Sequence, residues 1–263
     1  MRPHAIVLTR NEEANIGRSL QALSFVEQVI VVDSKSTDRT VEIAMGFANV
    51  RVLSRPFTSH ADQWNFALSQ VDPAASWVLA LDADFLLTDA VIDEITALPD
   101  EGGPAGYWAS FDYCIDGTAL RGAAYPPVAV LYRRDRARYV QDGHTQRVHI
   151  DGVIGRLNGR ILHDDRKPLS SWLAAQSRYM RLEADKLRRS PPSELSLLDR
   201  LRSWLVVVPP AMFVYCYLLR GGVLDGRKGL YYALQRTAAE VILSLYLLEA
   251  RLRGAPLAGQ PRE

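Results

Sequence analysis

The chain has 263 residues, 48% of them hydrophobic and 23% charged, with a formal net charge of only +1. It reads as globular and long enough for a sizeable core. Two cysteines, Cys114 and Cys216, stand far apart with no Cys-x-x-Cys or Cys/His spacing, which argues against a disulfide framework or a zinc site and suits a reducing compartment.

The opening MRPHAIVLTRNEE turns polar after a handful of apolar residues, short of a signal-peptide core, so export is not expected. HAIVLT (4–9) and QVIVVD (28–33) are β-branched runs, and the segment between them places Ile16, Leu20 and Leu23 on one helical face, which makes a β-α-β unit. STDRTVEIAMGFA then carries a helix-start signal, VRVLSR (50–55) reads as a third strand, HADQWNFALSQV as a helix with Trp64, Leu68 and Val71 on one face, and WVLALD (77–82) as a fourth strand. Such alternation predicts an α/β fold with a mostly parallel sheet and helices on both faces. After residue 105 the pattern changes: a hairpin is expected around Asp116-Gly117, with further strands at 127–134 and 159–163.

From about 168 the pattern is helical, and the expected division is 1–167 as the α/β domain and 168–263 as a helical C-terminal extension. Residues 203–219 form the most hydrophobic stretch, 17 residues without a charge, at the lower edge of what spans a bilayer. Pro209-Pro210 is expected to weaken that helix in its middle. In the last helix Arg236, Glu240 and Glu249 interrupt an apolar run. Residues 1–165 hold 15 Lys/Arg against 22 Asp/Glu, whereas 166–263 hold 16 against 8. A basic, aromatic pair of interfacial helices fits better than two membrane spans; the alternative is a helical subdomain packed on the catalytic core or on a second subunit.

Ligands of open α/β sheets bind beyond the carboxyl ends of the strands. Here those ends read Thr9-Arg10-Asn11-Glu12, Asp33-Ser34 and Asp82-Ala83-Asp84. Charges are kept out of cores, so two carboxylates closing an apolar strand mark a place where something positive is held. VLTRNEEANIGRSLQAL, VVDSKSTDRT, the N-x-A-L segment at 65–68 and the DxD signature at 82–84, in that order and spacing, resemble the inverting nucleotide-sugar glycosyltransferases of family 2, which have the Rossmann-like GT-A fold. The later VQDGHTQRVHIDG, RILHDDRKPLSSWLAAQSRYMRLEA and GGVLDGRKGLYYA resemble the subgroup that adds sugars to the lipopolysaccharide core or related lipid-borne glycans.

The resemblance implies a donor site, and chemistry supports parts of it. Hard cations favour carboxylate oxygens and leave positions open for phosphate and water, so Asp84 is the expected ligand of Mg²⁺ or Mn²⁺. Asp82 shares its face of the extended chain and reaches ribose hydroxyls or metal-bound water. At the positions of Thr9, Asn11, Glu12 and Asp33 the family contacts base and ribose, with helix capping as the alternative for Asn11. Gln63 and Asn65 are candidate polar contacts, although Asp62-Gln63-Trp64-Asn65 departs from the family's Ala-Arg-Asn. Inversion needs a base for the acceptor hydroxyl; Asp142 and His144 are the candidates, with a polar turn as the alternative, and Gln146 stands where related subgroups carry a glutamate. His163 is read as a further metal or diphosphate contact, or as part of a capping loop. Arg166 and Lys167 would neutralise diphosphate or face an acidic headgroup.

The expectation is therefore a metal-dependent inverting hexosyltransferase taking a UDP-hexose to a lipid-linked glycan, peripheral on the cytoplasmic face of the inner membrane and attached to its anionic surface. A homo-oligomer is compatible with this, and no nucleic-acid partner is expected. The alternatives are a catalytically silent relative recruited to a membrane as a scaffold, and a nucleotidyltransferase, for which NEEANIG is too acidic to hold a triphosphate. No Walker loop or dinucleotide glycine fingerprint is present.

Overall fold

The computed structural model describes residues 1–123, 125–142, 145–191, 193, 195–202 and 204–253, the side chains of 142 and 145 excepted. They form two compact units: Met1–Ala119 with Tyr125–Lys167, and the described residues of 120–124 and 168–263.

In the first unit, β1 (His4–Thr9), β2 (Val29–Asp33), β3 (Val50–Ser54) and β4 (Trp77–Asp82) are the predicted strands. They pair in parallel in the order β3-β2-β1-β4. Beyond β4 the sheet becomes mixed: β8 (Val128–Arg133) runs antiparallel to both β4 and β6 (Gly106–Ile115), and β11 (Ile154–His163) is parallel to β6. The short β5 (Phe85–Leu86) closes the order on β11, and β7 (Thr118–Ala119) pairs with β6 across the Asp116-Gly117 turn, as the sequence predicts. A feature without warning in the sequence pattern is a separate two-stranded ribbon of β9 (Ala137–Asp142) and β10 (Thr145–Ile150).

Period-2 alternation along the strands explains their unbroken apolar runs. Ala5, Val7, Val29, Val31, Leu79 and Leu81 face one core with Ile16 and Leu20 of α1 (Ile16–Ala22), Ala44 of α2 (Thr40–Met45), and Val91 and Ile95 of α4 (Asp89–Ala97). Ile6, Ile30, Val32, Val78 and Ala80 face the other core with Trp64, Ala67 and Leu68 of α3 (His60–Ser69) and Tyr139 of β9. Gly159 lets β11 approach α4, since a Cβ there would stand 2.6 Å from Val91.

The second unit contains α5 (Leu169–Arg189), α6 (Leu197–Arg202), α7 (Val208–Val214) continued by a π-helical turn at Tyr215–Leu219, a 3-10 turn at Gly222–Asp225, and α8 (Gly226–Leu252). The proline pair does not weaken a helix in its middle: Pro209 and Pro210 occupy the first turn of α7, where their missing N–H groups have no helical partner to lose. Glu240 does not interrupt an exposed face either. It is buried and receives both Nε (3.0 Å) and Nη2 (2.7 Å) of Arg202. Among the described residues no helix is long and apolar enough to cross a membrane.

Candidate active site

Strand register brings the polar ends together. Thr9 of β1 lies beside Asp33 of β2, and Leu8 of β1 beside Asp82 of β4, so three strands end at one edge. Asp33 is buried, and its Oδ1 accepts from the hydroxyls of Thr9 (3.2 Å) and Ser36 (2.5 Å) while Oδ2 accepts from the Ser36 N–H (3.0 Å). A carboxylate has about four lone-pair sites, so Oδ2 keeps capacity for a further donor.

The turn after β1 is held by side chains from the β2–α2 loop. Asn11 has φ 55°, a conformation Asn tolerates better than most residues, and its Oδ1 accepts from the Thr37 N–H at 2.8 Å. It does not cap α1, whose N-cap is Asn15. The Glu12 N–H donates to Thr40 Oγ1 at 2.7 Å, and its carboxylate receives Lys167 Nζ at 2.6 Å and Asn15 Nδ2 at 2.9 Å. Asp38 accepts from the N–H and hydroxyl of Thr40 and from the Glu13 N–H, a local capping arrangement.

Asp82 and Asp84 are both half-buried at the end of β4. Asp84 is fixed through β5 and β11: its backbone carbonyl accepts from the Asp164 N–H at 3.0 Å, and its Oδ2 lies 3.1 Å from His163 Nε2. His163 sits among the edges of the Tyr125, Tyr113 and Phe85 rings, at centroid distances of 4.7, 4.8 and 5.2 Å. Its Nδ1 is buried without a partner.

Electrostatics separate these carboxyls. Burial and the neighbouring Asp84 push Asp82 up to about 6. Burial pushes Glu12 up to about 7 against the pull of Lys167. Burial would raise Asp84 too, but the His163 imidazole beside it holds it below the ordinary carboxylate range, and His163 is raised in return. Lys167, although partly buried, is raised by Glu12 and Asp165 and stays an ammonium ion. The cluster is thus short of positive charge at Asp82, which accepts no hydrogen bond among the described residues. Two hard carboxylates on one strand end, one of them unsatisfied, fit a divalent cation that takes its remaining ligands from phosphate and water. No three His, Cys, Asp or Glu side chains among the described residues already form a metal cage.

Other expected site residues are engaged by protein partners of their own. The Asn65 amide clamps β9, donating to the Tyr139 carbonyl (2.9 Å) and accepting from the Tyr139 N–H (2.9 Å). Gln63 bridges Ser34 Oγ (3.0 Å) and Arg55 Nη1 (2.7 Å). Asp142 ends β9 by its backbone, while its side chain and all of His144 lie outside the described residues. Arg166 is committed to Asp164 (2.7 Å) and Asp116 (2.7 Å). Asn15 and Tyr125 escape the sequence reading. Asn15 could have been found as the buried polar residue that opens α1 after an acidic turn; Tyr125 carries no sequence signal.

Comparison with known proteins shows the family of the chain. The family model described as Glycosyl transferase family 2 matches residues 5–158. The lipopolysaccharide core biosynthesis glycosyltransferase LpsC of Rhizobium meliloti (strain 1021) is 28% identical over 276 residues, covering 94% of each chain. An uncharacterized glycosyltransferase of Rickettsia typhi, RT0209, is 39% identical over 90 residues, 34% of this chain and 30% of that protein. Among solved structures, S. aureus TarS 1-349 in complex with UDP-GlcNAc shares the fold with TM-score 0.51 at 16% identity, covering 97% of this chain and 92% of that one. Since the matched model spans more than half the chain, including the three strand ends that carry Glu12, Asp33, Asp82 and Asp84, the chain belongs to glycosyl transferase family 2.

Proposed function

We propose that this glycosyltransferase moves a hexose from a UDP donor, with inversion, onto a lipid-linked glycan such as the lipopolysaccharide core. Residues 1–167 carry donor binding and catalysis, and 168–263 hold the enzyme at the cytoplasmic face of the membrane. The observation behind the donor site is the Asp82/Asp84/Glu12 cluster at the ends of β1 and β4, with Lys167 as its resident cation. The LPS-core role of the relative LpsC supports the choice of acceptor.

In this reading Asp33 accepts a ring N–H of the base, and Thr9 and Asn11 border the ribose. Asp84 and Asp82 would hold Mg²⁺ or Mn²⁺, which when bound neutralises charge on the departing diphosphate. His163 fixes the Asp84 carboxylate, and Lys167 adds positive charge beside it. The acceptor oxygen attacks the anomeric carbon, the carbon–oxygen bond to diphosphate breaks with its electron pair leaving on the diphosphate, and the acceptor proton passes to Asp142, with His144 as the alternative base.

Calorimetric titration with UDP, GDP and ADP, with and without Mn²⁺, tests the donor site in wild type and Asp84→Asn. The expected result is Mn²⁺-dependent binding of UDP that the variant loses. Absence of nucleotide binding by folded protein would sink the reading and favour a silent scaffold.

A further inference from the structure

Exposed apolar surface is distributed unevenly along this chain. Of 25 large hydrophobic side chains exposed among the described residues, 21 belong to the helical unit. Single exposed apolar residues are ordinary, whereas contiguous ones mark a surface that something covers. The densest run lies between α6 and the 3-10 turn. From Arg200 to Leu224 the sequence holds no Asp or Glu, and from 204 to 219 no charge at all.

Helix α7 and its π-helical continuation turn Val208, Pro209 and Cys216 inward. The opposite side shows Val207, Val214, Tyr215, Leu218 and Leu219, the last 75% exposed. Positions 214/215 and 218/219 make this stripe two residues wide, broader than the single seam of a coiled coil. Just before it, Leu205 adopts φ 61°, costly for a leucine, and its carbonyl is held by Ser244 Oγ at 2.6 Å. The turn leaves Trp204 63% and Val206 78% exposed. The helix over 208–219 is about 18 Å long at 1.5 Å per residue, well short of a hydrocarbon core of roughly 30 Å. It can lie in a membrane surface and cannot cross one.

Charge selects the kind of surface. Arg200 precedes the stripe, and Arg220, Arg227 and Lys228 follow it. The neighbouring acids are already engaged: Asp199 and Glu240 with Arg202, and Asp225 with the Gly122 N–H at 2.9 Å. An apolar face with Trp and Tyr at its ends and cations around it complements acyl chains beneath anionic headgroups.

We infer that the 204–224 segment is a membrane-docking element that lays the outer face of α7 into an anionic phospholipid leaflet, with Arg220 and Arg227 on headgroup phosphates. The inference rests on the membrane-face reading above and names the element and the lipid chemistry that accomplish it.

The test uses the full chain and vesicles of phosphatidylcholine with or without phosphatidylglycerol, in the absence of donor and acceptor. Wild type is expected to co-sediment with the anionic vesicles, and brominated lipid to quench fluorescence that Trp204→Phe removes. Leu218→Asp/Leu219→Asp and Arg220→Glu/Arg227→Glu should each weaken partitioning by about tenfold or more, with UDP binding retained. Wild type that binds UDP yet ignores vesicles overturns the inference, as does undiminished partitioning of both variants. A wild type that self-associates without binding vesicles, and that Leu218→Asp/Leu219→Asp makes monomeric, assigns the face to a second copy and overturns it equally. Loss of UDP binding with vesicle binding intact would sink only the donor reading.

Discussion

Glu12 and Lys167 lie 155 residues apart in sequence, yet their 2.6 Å contact places a cation beside the strand-end carboxylates. Removing one partner of a largely buried pair leaves the other uncompensated, whereas removing both does not. Lys167→Met alone should therefore destabilise by about 3 kcal/mol, and adding Glu12→Gln should recover part of that loss in urea unfolding, because Asp165 and Asp84 still lack their cation. A pair that contributes only through solvent-exposed charge would show additive changes in the two variants. Asp142 enters at a different step. If it takes the acceptor proton, Asp142→Asn should lower kcat by about 10²-fold or more while calorimetric UDP affinity stays unchanged. An equal loss in UDP binding would move Asp142 to the donor site and leave His144 as the base to test.

At the scale of elements, Asn65 links α3 to the β9–β10 ribbon through both polar atoms of its amide. Asn65→Ala leaves the Tyr139 N–H and carbonyl short of partners at a buried residue, a cost of about 1–3 kcal/mol, read as a lower urea midpoint. Unchanged stability would show that water replaces the clamp. Trp64 and Leu68 announce a core-facing helix by spacing, whereas nothing in the local sequence announces that the Asn65 amide meets a neighbouring strand. The parallel strands were legible because each is an apolar run closed by a polar turn, and Asp33, Asp82 and Asp84 because a carboxylate at such an end needs a reason. The ribbon was not, since Ala137–Asp142 and Thr145–Ile150 mix charged and apolar residues and form no part of the main sheet. Lys167 was legible as a cation for diphosphate or a headgroup, but its pairing with Glu12, 155 residues away, is seen only in the folded chain, as is Tyr125, which comes from a segment without periodicity.

Across the first unit as a whole, Asp164 is the knot between distant segments. Its carboxylate receives Arg18 of α1 (2.9 Å), Arg166 (2.7 Å) and the Gly117 N–H of the β6–β7 turn (3.0 Å). Burial acts to raise this carboxyl, but the Gly117 N–H and the two guanidinium groups outweigh it and hold it below its usual range. A carboxyl depressed in the folded state contributes stability in full above its unfolded value, about 3.9, and loses it as pH falls through the lower folded value. The wild-type urea midpoint should accordingly fall on acidification below about pH 4. Asp164→Asn should be less stable than wild type at neutral pH, because Arg18 and Arg166 lose their shared counter-charge, and the gap should narrow as the wild-type carboxyl is protonated. A gap that stays constant from neutral to acidic pH would show that Asp164 acts through packing and its hydrogen bond to Gly117 rather than through charge, and the tie among α1, the β6–β7 turn and the segment after β11 would then be steric.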